Sequence, residues 1–295
     1  MNIKKLLFVT KFEELGFGAL QSLLILRSCS LEHVVFLYVI DREKVALQRG
    51  VGFKKDEQIR LKEAANIRFI DWAERLFETG MEVGVYIQVG SLAAEVVNAT
   101  RKEGADLVVI GRTHKSALEQ FYSGSTVTDL IRRLSVPVLV YKPAPEGTSA
   151  LAKPFERPLL ATDWSPASLR SVAYLKGMKR IIQEVQVVHV IDEKRIEGSS
   201  VMQAQKAHRE AKTRLAETCA SFEAEGIPAR SYVYVGDATE QIDQAAQECQ
   251  ASLIVLGSSA KASWVERFIG STPRAIAEDS VFPTLLIPPE RFPTS

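Results

Sequence analysis

The chain is expected to fold as two α/β domains, each a doubly wound parallel sheet, and three observations point there. Short apolar runs alternate with longer stretches of helical spacing, the pattern of a sheet covered on both faces. The whole pattern occurs twice. The composition is that of a globular protein, with 46% hydrophobic and 25% charged residues, and 295 residues suit two domains of roughly 100–200 residues each.

In the first half the apolar runs are KLLFVT, VVFLYVID, EVGVYIQV, DLVVIG and VPVLVY; in the second they are PLLATD, VQVVHVID, ARSYVYV, SLIVLG and FPTLLIP. Most are continuous rather than alternating, as parallel strands buried on both faces require. Between them, 56–79 and 201–225 read as helices; in the latter, Ala207, Ala211, Leu215 and Phe222 mark an apolar stripe. Strands joined this way take right-handed crossovers.

Four landmarks establish the repeat. ADLVVIGRTH begins at Ala105 and ASLIVLGSSA at Ala251, an offset of 146. The same offset carries Gly90 onto Gly236, Gly124-Ser125-Thr126 onto Gly270-Ser271-Thr272, and Val136-Pro137-Val138-Leu139 onto Phe282-Pro283-Thr284-Leu285. The earlier runs ending at Asp41 and Asp192 follow a different offset, so a few residues are inserted or deleted in the helical region between. The expected boundaries are a first domain at 1–143, a linker at 144–155 within a stretch containing three prolines, and a second domain at 156–290.

Charge and cysteine content exclude several classes. The formal charge of +1 gives no basic footprint for nucleic acid. The longest apolar run, VVFLYVI at 34–40, is far short of the 18 or so residues of a membrane span, and the four apolar residues after Lys5 are too few for a secretory signal. Cys29, Cys219 and Cys249 show no CxxC spacing and read as reduced thiols, which favours a cytoplasmic protein. His33, His189 and His208 show no ligand spacing with one another, and His114 stands alone near a strand end, where a lone histidine is more often a hydrogen-bonded surface or core residue than a ligand, so no metal site is expected.

In an open α/β sheet, ligands bind beyond the carboxyl ends of the strands. Gly257 directly follows SLIVL, and Gly270-Ser271-Thr272-Pro273 opens a helical stretch, with Pro273 suited to the first helical position. Such a helix start offers unpaired N–H groups and a positive dipole end, a ready phosphate site. Glycine after a strand and serine at a helix start are also common in any α/β protein, so spacing must discriminate.

With that spacing the sequence resembles the universal stress protein family, whose ATP-binding members carry Gly-x-x-Gly, nine residues, and then Gly-Ser or Gly-Thr. The second copy reads Gly257-Ser-Ser-Ala260, nine residues, Gly270-Ser271; the first reads Gly111-Arg-Thr-His114, nine residues, Gly124-Ser125. Each departs at the second glycine. The resemblance covers nearly the whole chain and is of the tandem type, with two UspA-like domains. It implies a Rossmann-like, adenine nucleotide alpha hydrolase-like fold, and ATP as ligand, with or without Mg²⁺. It assigns Thr162 and Asp163 to the adenosine side and the Val190 backbone to the base. Gly257, Ser259, Ala260, Gly270, Ser271 and Thr272 fall to the phosphates, with Lys261 and Arg267 as candidate counter-charges.

A second, weaker site would comprise Gly111, His114, Gly124, Ser125 and Thr126. Lys11 stands there in place of Asp163, and an ammonium only donates where a carboxylate accepts. An imidazole at 114 also fills space where backbone should approach phosphate. One ATP site, in the second copy, is therefore expected. Asp163 has a structural reading as well, since Asp-Trp-Ser-Pro is a natural helix cap.

The family's closing strands mediate dimerisation, so the two copies are expected to pair through PVLVY and PTLLI as an intrachain pseudo-dimer, with a homodimer of chains as an extension. The sequence contains no phosphate loop, no Gly-x-Ser-x-Gly elbow and no His-Glu-x-x-His. Binding without fast turnover is the economical reading: a stress-response regulator or sensor, at most a slow ATPase. The alternative is an interaction scaffold with vestigial nucleotide sites, or with a non-nucleotide ligand in the first half.

Overall fold

The computed structural model describes residues 3–12, 15–42, 55–111, 124–142, 153–193, 201–258 and 270–288. The first half contains β1 (Lys5–Val9), α1 (Phe17–Leu23), a 3₁₀ turn (Leu24–Cys29), β2 (His33–Asp41), α2 (Lys55–Phe77), β3 (Glu82–Gly90), α3 (Leu92–Glu103), β4 (Leu107–Gly111), α4 (Gly124–Arg133) and β5 (Val138–Tyr141). The second contains β6 (Pro158–Ala161), α5 (Pro166–Gly177), β7 (Val185–Asp192), α6 (Val201–Glu223), β8 (Ala229–Gly236), α7 (Ala238–Glu248), β9 (Leu253–Gly257), α8 (Ser271–Asp279) and β10 (Thr284–Ile287).

The strands form a single ten-stranded sheet in the order β3-β2-β1-β4-β5-β10-β9-β6-β7-β8. Every neighbouring pair is parallel except β5 and β10, which run antiparallel. At that seam Leu139 lies opposite Leu285, and these two residues are themselves related by the 146-residue offset. A pseudo-twofold axis therefore passes between them. Two closing strands that would otherwise be open edges satisfy each other's backbone groups.

Alternation along the strands divides the core between the two faces. Leu6 and Phe8 join the layer under α1, α2, α5 and α6, while Leu7 and Val9 join the layer under α3, α4, α7 and α8. The inner strands β1, β4, β5, β6, β9 and β10 are almost wholly buried, which accounts for their continuous apolar runs. The outermost strands, β3 and β8, are only part-buried, and their sequences are correspondingly mixed. Among the described residues, no helix is long and apolar enough to cross a membrane.

Candidate nucleotide site

The strand order reverses between β6 and β9, and a cavity of about 580 Å³ opens beyond their carboxyl ends. Thr162 and Asp163 reach it from the end of β6, Val190 from β7, Gly257 from the end of β9, and Gly270, Ser271 and Thr272 from the start of α8. Seven of the nine residues expected at the main site are thus brought together. Ser259 and Ala260 lie outside the described residues, as do Lys261 and Arg267.

The turn after β6 is built by side chains. The Trp164 backbone has φ +57, a conformation that costs an aromatic residue about 1–3 kcal/mol unless its surroundings hold it. The Thr162 hydroxyl does so, accepting from the Trp164 N–H at 3.1 Å and sharing a hydrogen bond of 2.5 Å with the Ser168 hydroxyl. Asp163 Oδ1 accepts from the Ser165 N–H at 3.0 Å, and the Ser165 hydroxyl caps α5 by accepting from the Ser168 N–H at 3.3 Å. The structural reading of Asp163 is therefore real, and it engages Oδ1; among the described residues no hydrogen bond reaches Oδ2 of this exposed carboxylate.

β7 outruns β6. Thr162 N–H donates to the Val188 carbonyl at 2.9 Å, and in a parallel ladder the residue two further on presents its N–H and C=O the same way. Val190 accordingly aims a donor and an acceptor at the space beyond the end of β6.

Two helices start at the cavity, and they differ. Asp237 caps α7, its carboxylate accepting from the N–H groups of Thr239 at 2.8 Å and Glu240 at 3.2 Å. The N-cap of α8 is Gly270, which supplies no side-chain acceptor. Among the described residues no side-chain acceptor caps the start of α8, whose first-turn N–H groups and positive dipole end stand at the cavity. Pro273 is the third residue of α8 rather than its first. The helix begins two residues early because a first turn has no intrahelical use for its N–H groups, so proline is tolerated there too.

The glycines also separate. A Cβ on Gly257 would lie 2.5 Å from the Ala167 carbonyl carbon and 2.5 Å from the Ser168 nitrogen. Close packing of β9 against α5 thus explains the absence of a side chain there. Gly270 has φ −57 and an added Cβ would meet Pro273 Cδ at 3.3 Å, so neither backbone strain nor severe crowding demands glycine at that position.

Several wall residues were not legible as such. His189 lines the cavity, and its Nδ1 donates to the Thr162 carbonyl at 2.8 Å, which fixes the tautomer. Its ring packs on Trp164 with centroids 4.0 Å apart, and the Arg214 guanidinium lies 4.9 Å from the Trp164 ring. Ala238 and Ile242 of α7 close another wall. The repeated Gly90/Gly236 landmark was the available signal for α7, because it marks the turn into that helix. A larger groove of about 1090 Å³, lined in part by Ala204, Ala207 and Ala211 of α6, shares Asp163, His189 and Val190.

The first half repeats the turn without the same chemistry. Phe12 has φ +64 and donates its N–H to the Thr10 hydroxyl at 2.7 Å, mirroring Trp164 and Thr162, with Lys11 where Asp163 stands. The Phe12 ring packs against Tyr38, Phe69 and Trp72 at centroid distances of 5.3, 4.9 and 5.3 Å. Gly111 ends β4 and Gly124 is the first residue of α4, followed by Ser125 and Thr126, whose side chains, like the whole of His114, lie outside the described residues. No cluster of three or more metal-ligating side chains occurs among the described residues.

Comparison with known proteins agrees with this architecture. Universal stress protein MJ0577 of Methanocaldococcus jannaschii is 28% identical over 153 residues, covering 47% of this chain and 94% of that protein. The crystal structure of a universal stress protein from Archaeoglobus fulgidus superposes with a TM-score of 0.72 at 20% identity, over 98% of this chain and 99% of that one. A functionally unknown protein, PA1789 from Pseudomonas aeruginosa, gives 0.64 at 20% identity, over 98% and 93%. At such identities these structures speak to the fold alone. The family model of the universal stress proteins matches residues 2–142 and again residues 154–288. The chain belongs to the universal stress protein family, with the family's domain present twice.

Proposed function

We propose that this protein binds ATP at one site, in its second half, and acts as a nucleotide-responsive stress regulator rather than a fast enzyme. The observation that carries the reading is the convergence of Thr162, Asp163, Val190, Gly257, Gly270, Ser271 and Thr272 on one cavity of about 580 Å³, a volume within the usual range for small-molecule sites. Val190 supplies a backbone donor and acceptor for the adenine edge. Asp163 Oδ2 suits the ribose hydroxyls, and the open start of α8 suits the phosphates. If Mg²⁺ accompanies the nucleotide, it screens the phosphate charge. The antiparallel pairing of β5 with β10 supports treating the chain as an intrachain pseudo-dimer of two domains, at 1–143 and 156–290, working in the cytoplasm; further association into a homodimer belongs to the same proposal.

Isothermal titration with ATP tests it. Saturable binding with one site per chain is expected, surviving Lys11→Ala and vanishing with Gly270→Arg, whose side chain would fill the cavity at the start of α8. Two sites per chain would overturn the one-site version. Absence of both binding and thermal stabilisation at millimolar ATP would favour the scaffold reading.

A further inference from the structure

The buried lysine at the end of β5 touches the phosphate-facing helix from behind. Lys142 belongs to the first half, is 1% exposed, and donates from Nζ to the carbonyls of Ile276 at 3.0 Å and Ser280 at 2.6 Å. Ile276 lies in the last turns of α8 and Ser280 is its C-cap. These carbonyls stand at the negative end of the helix dipole, where an ammonium is stabilising. The helix thus offers its positive end to the cavity and receives a cation from the other domain at its negative end.

Further contacts fix α8 from the same side. Thr128 of α4 donates its hydroxyl to Glu278 Oε1 at 3.3 Å, and the same oxygen accepts from Arg274 Nε at 3.0 Å within α8. Position 142 and its repeat counterpart differ in chemistry. Across the pseudo-twofold axis, the 146-residue offset relates Lys142 to Pro288, which has neither an N–H nor a charged side chain. The staple is present on the helix whose cavity retains Asp163 and lacks its counterpart from position 288 toward α4, the helix beside Lys11.

From this geometry we infer that Lys142 is a positioning residue for the nucleotide: the first half, with its weaker motif, holds the C-terminal end of α8 so that the helix start is fixed for phosphate. The inference rests on the nucleotide reading above. It predicts that Lys142 acts on the phosphate half of the ligand and not on the adenosine half, because Thr162 and Asp163 belong to the turn after β6 and Val190 to β7, and none of them to α8.

The test is titration of the full chain and of Lys142→Met and Lys142→Arg with ATP and, separately, with adenosine. The methionine variant should bind ATP about five- to tenfold more weakly, the effect of an added or lost charge at a helix end. Its adenosine affinity should be unchanged, and arginine should restore part of the loss. Equal weakening of both ligands would mean general damage and overturn the inference, as would unchanged ATP affinity. If Lys142→Met does not fold, the wild-type protein still decides through linkage. Exchange of the Lys142 ammonium protons should slow more with saturating ATP than with saturating adenosine, and equal protection would overturn the inference. Failure of the wild type to bind either ligand would instead overturn the nucleotide reading itself.

Discussion

Gly257→Ala separates two reasons for a glycine at the end of β9. The family motif places this residue beside phosphate, while the structure places α5 against it. A methyl group would sit 2.5 Å from both the Ala167 carbonyl carbon and the Ser168 nitrogen, and 2.9 Å from Ala167 Cβ. Ordinary contact begins near 3.4 Å, so the end of β9 and the first turn of α5, which carries both atoms, must separate by roughly 0.9 Å. Overpacking of this kind costs about 1–3 kcal/mol. For a cooperative unit of this size, that corresponds to a thermal midpoint lowered by about 2–4 °C per kcal/mol. Differential scanning calorimetry without nucleotide should register the loss. The displaced turn also carries the Thr162–Ser168 hydrogen bond, so nucleotide affinity should fall as a secondary effect. A variant with the wild-type midpoint but no ATP binding would refute the packing argument and restore phosphate approach as the reason for glycine.

Other perturbations test other parts of the structure. Leu139 and Leu285 are both fully buried and face each other at the seam; each change to alanine should cost about 2–5 kcal/mol in urea titrations, and the double variant should cost less than the sum by about 0.5–3 kcal/mol because the residues share one contact. Ser165→Ala removes the cap on α5 and should lower stability by about 1 kcal/mol in the same assay. The Tyr86 hydroxyl and, at 3.1 Å, Lys5 hydrogen-bond Glu103 and hold its carboxyl below the usual range. A depressed folded pKa contributes stability that is complete above the unfolded value of about 4.3 and is lost as the pH falls through the folded value. The stability gap between wild type and Glu103→Gln should therefore narrow from pH 7 to pH 3; a constant gap would remove Glu103 from the acid response.

The sheet was legible because it is written locally. Parallel strands buried on both faces leave continuous apolar runs such as SLIVLG and VVFLYVID, and the duplicated landmarks reveal the repeat without any knowledge of contacts. Gly257, Gly270, Ser271 and Thr272 could be placed at strand and helix ends for the same reason. What escaped depends on partners distant in sequence. Nothing in VQVVHVID says that His189 will bond the carbonyl of Thr162, 27 residues earlier. Gly257 stood out as a landmark, but its close approach to Ala167 is a tertiary fact. Lys142 stands just before the proline-rich stretch that reads as linker, and its bonds cross 134 and 138 residues.

The seam explains how two copies of one domain can take different parts. In a symmetric dimer of identical chains, any change beside one closing strand appears at both. Once the copies share a chain, Lys142 and Pro288 can differ while Leu139 and Leu285 still meet on the axis. The same freedom shows on the opposite face of the sheet. In the first half Phe12, Phe36, Phe69 and Trp72 pack ring against ring, each pair contributing about 0.5–1.5 kcal/mol beyond burial. At the positions corresponding to Phe69 and Trp72 the second half has Leu215 and Thr218, and at that of Leu61 it has Ala207, beside the open groove of about 1090 Å³. Filled rings stabilise and empty grooves admit ligands, and a single domain cannot do both in the same space. Joining the copies through β5 and β10 lets the aromatic cluster of the first half stabilise the sheet on which the second half presents its cavities.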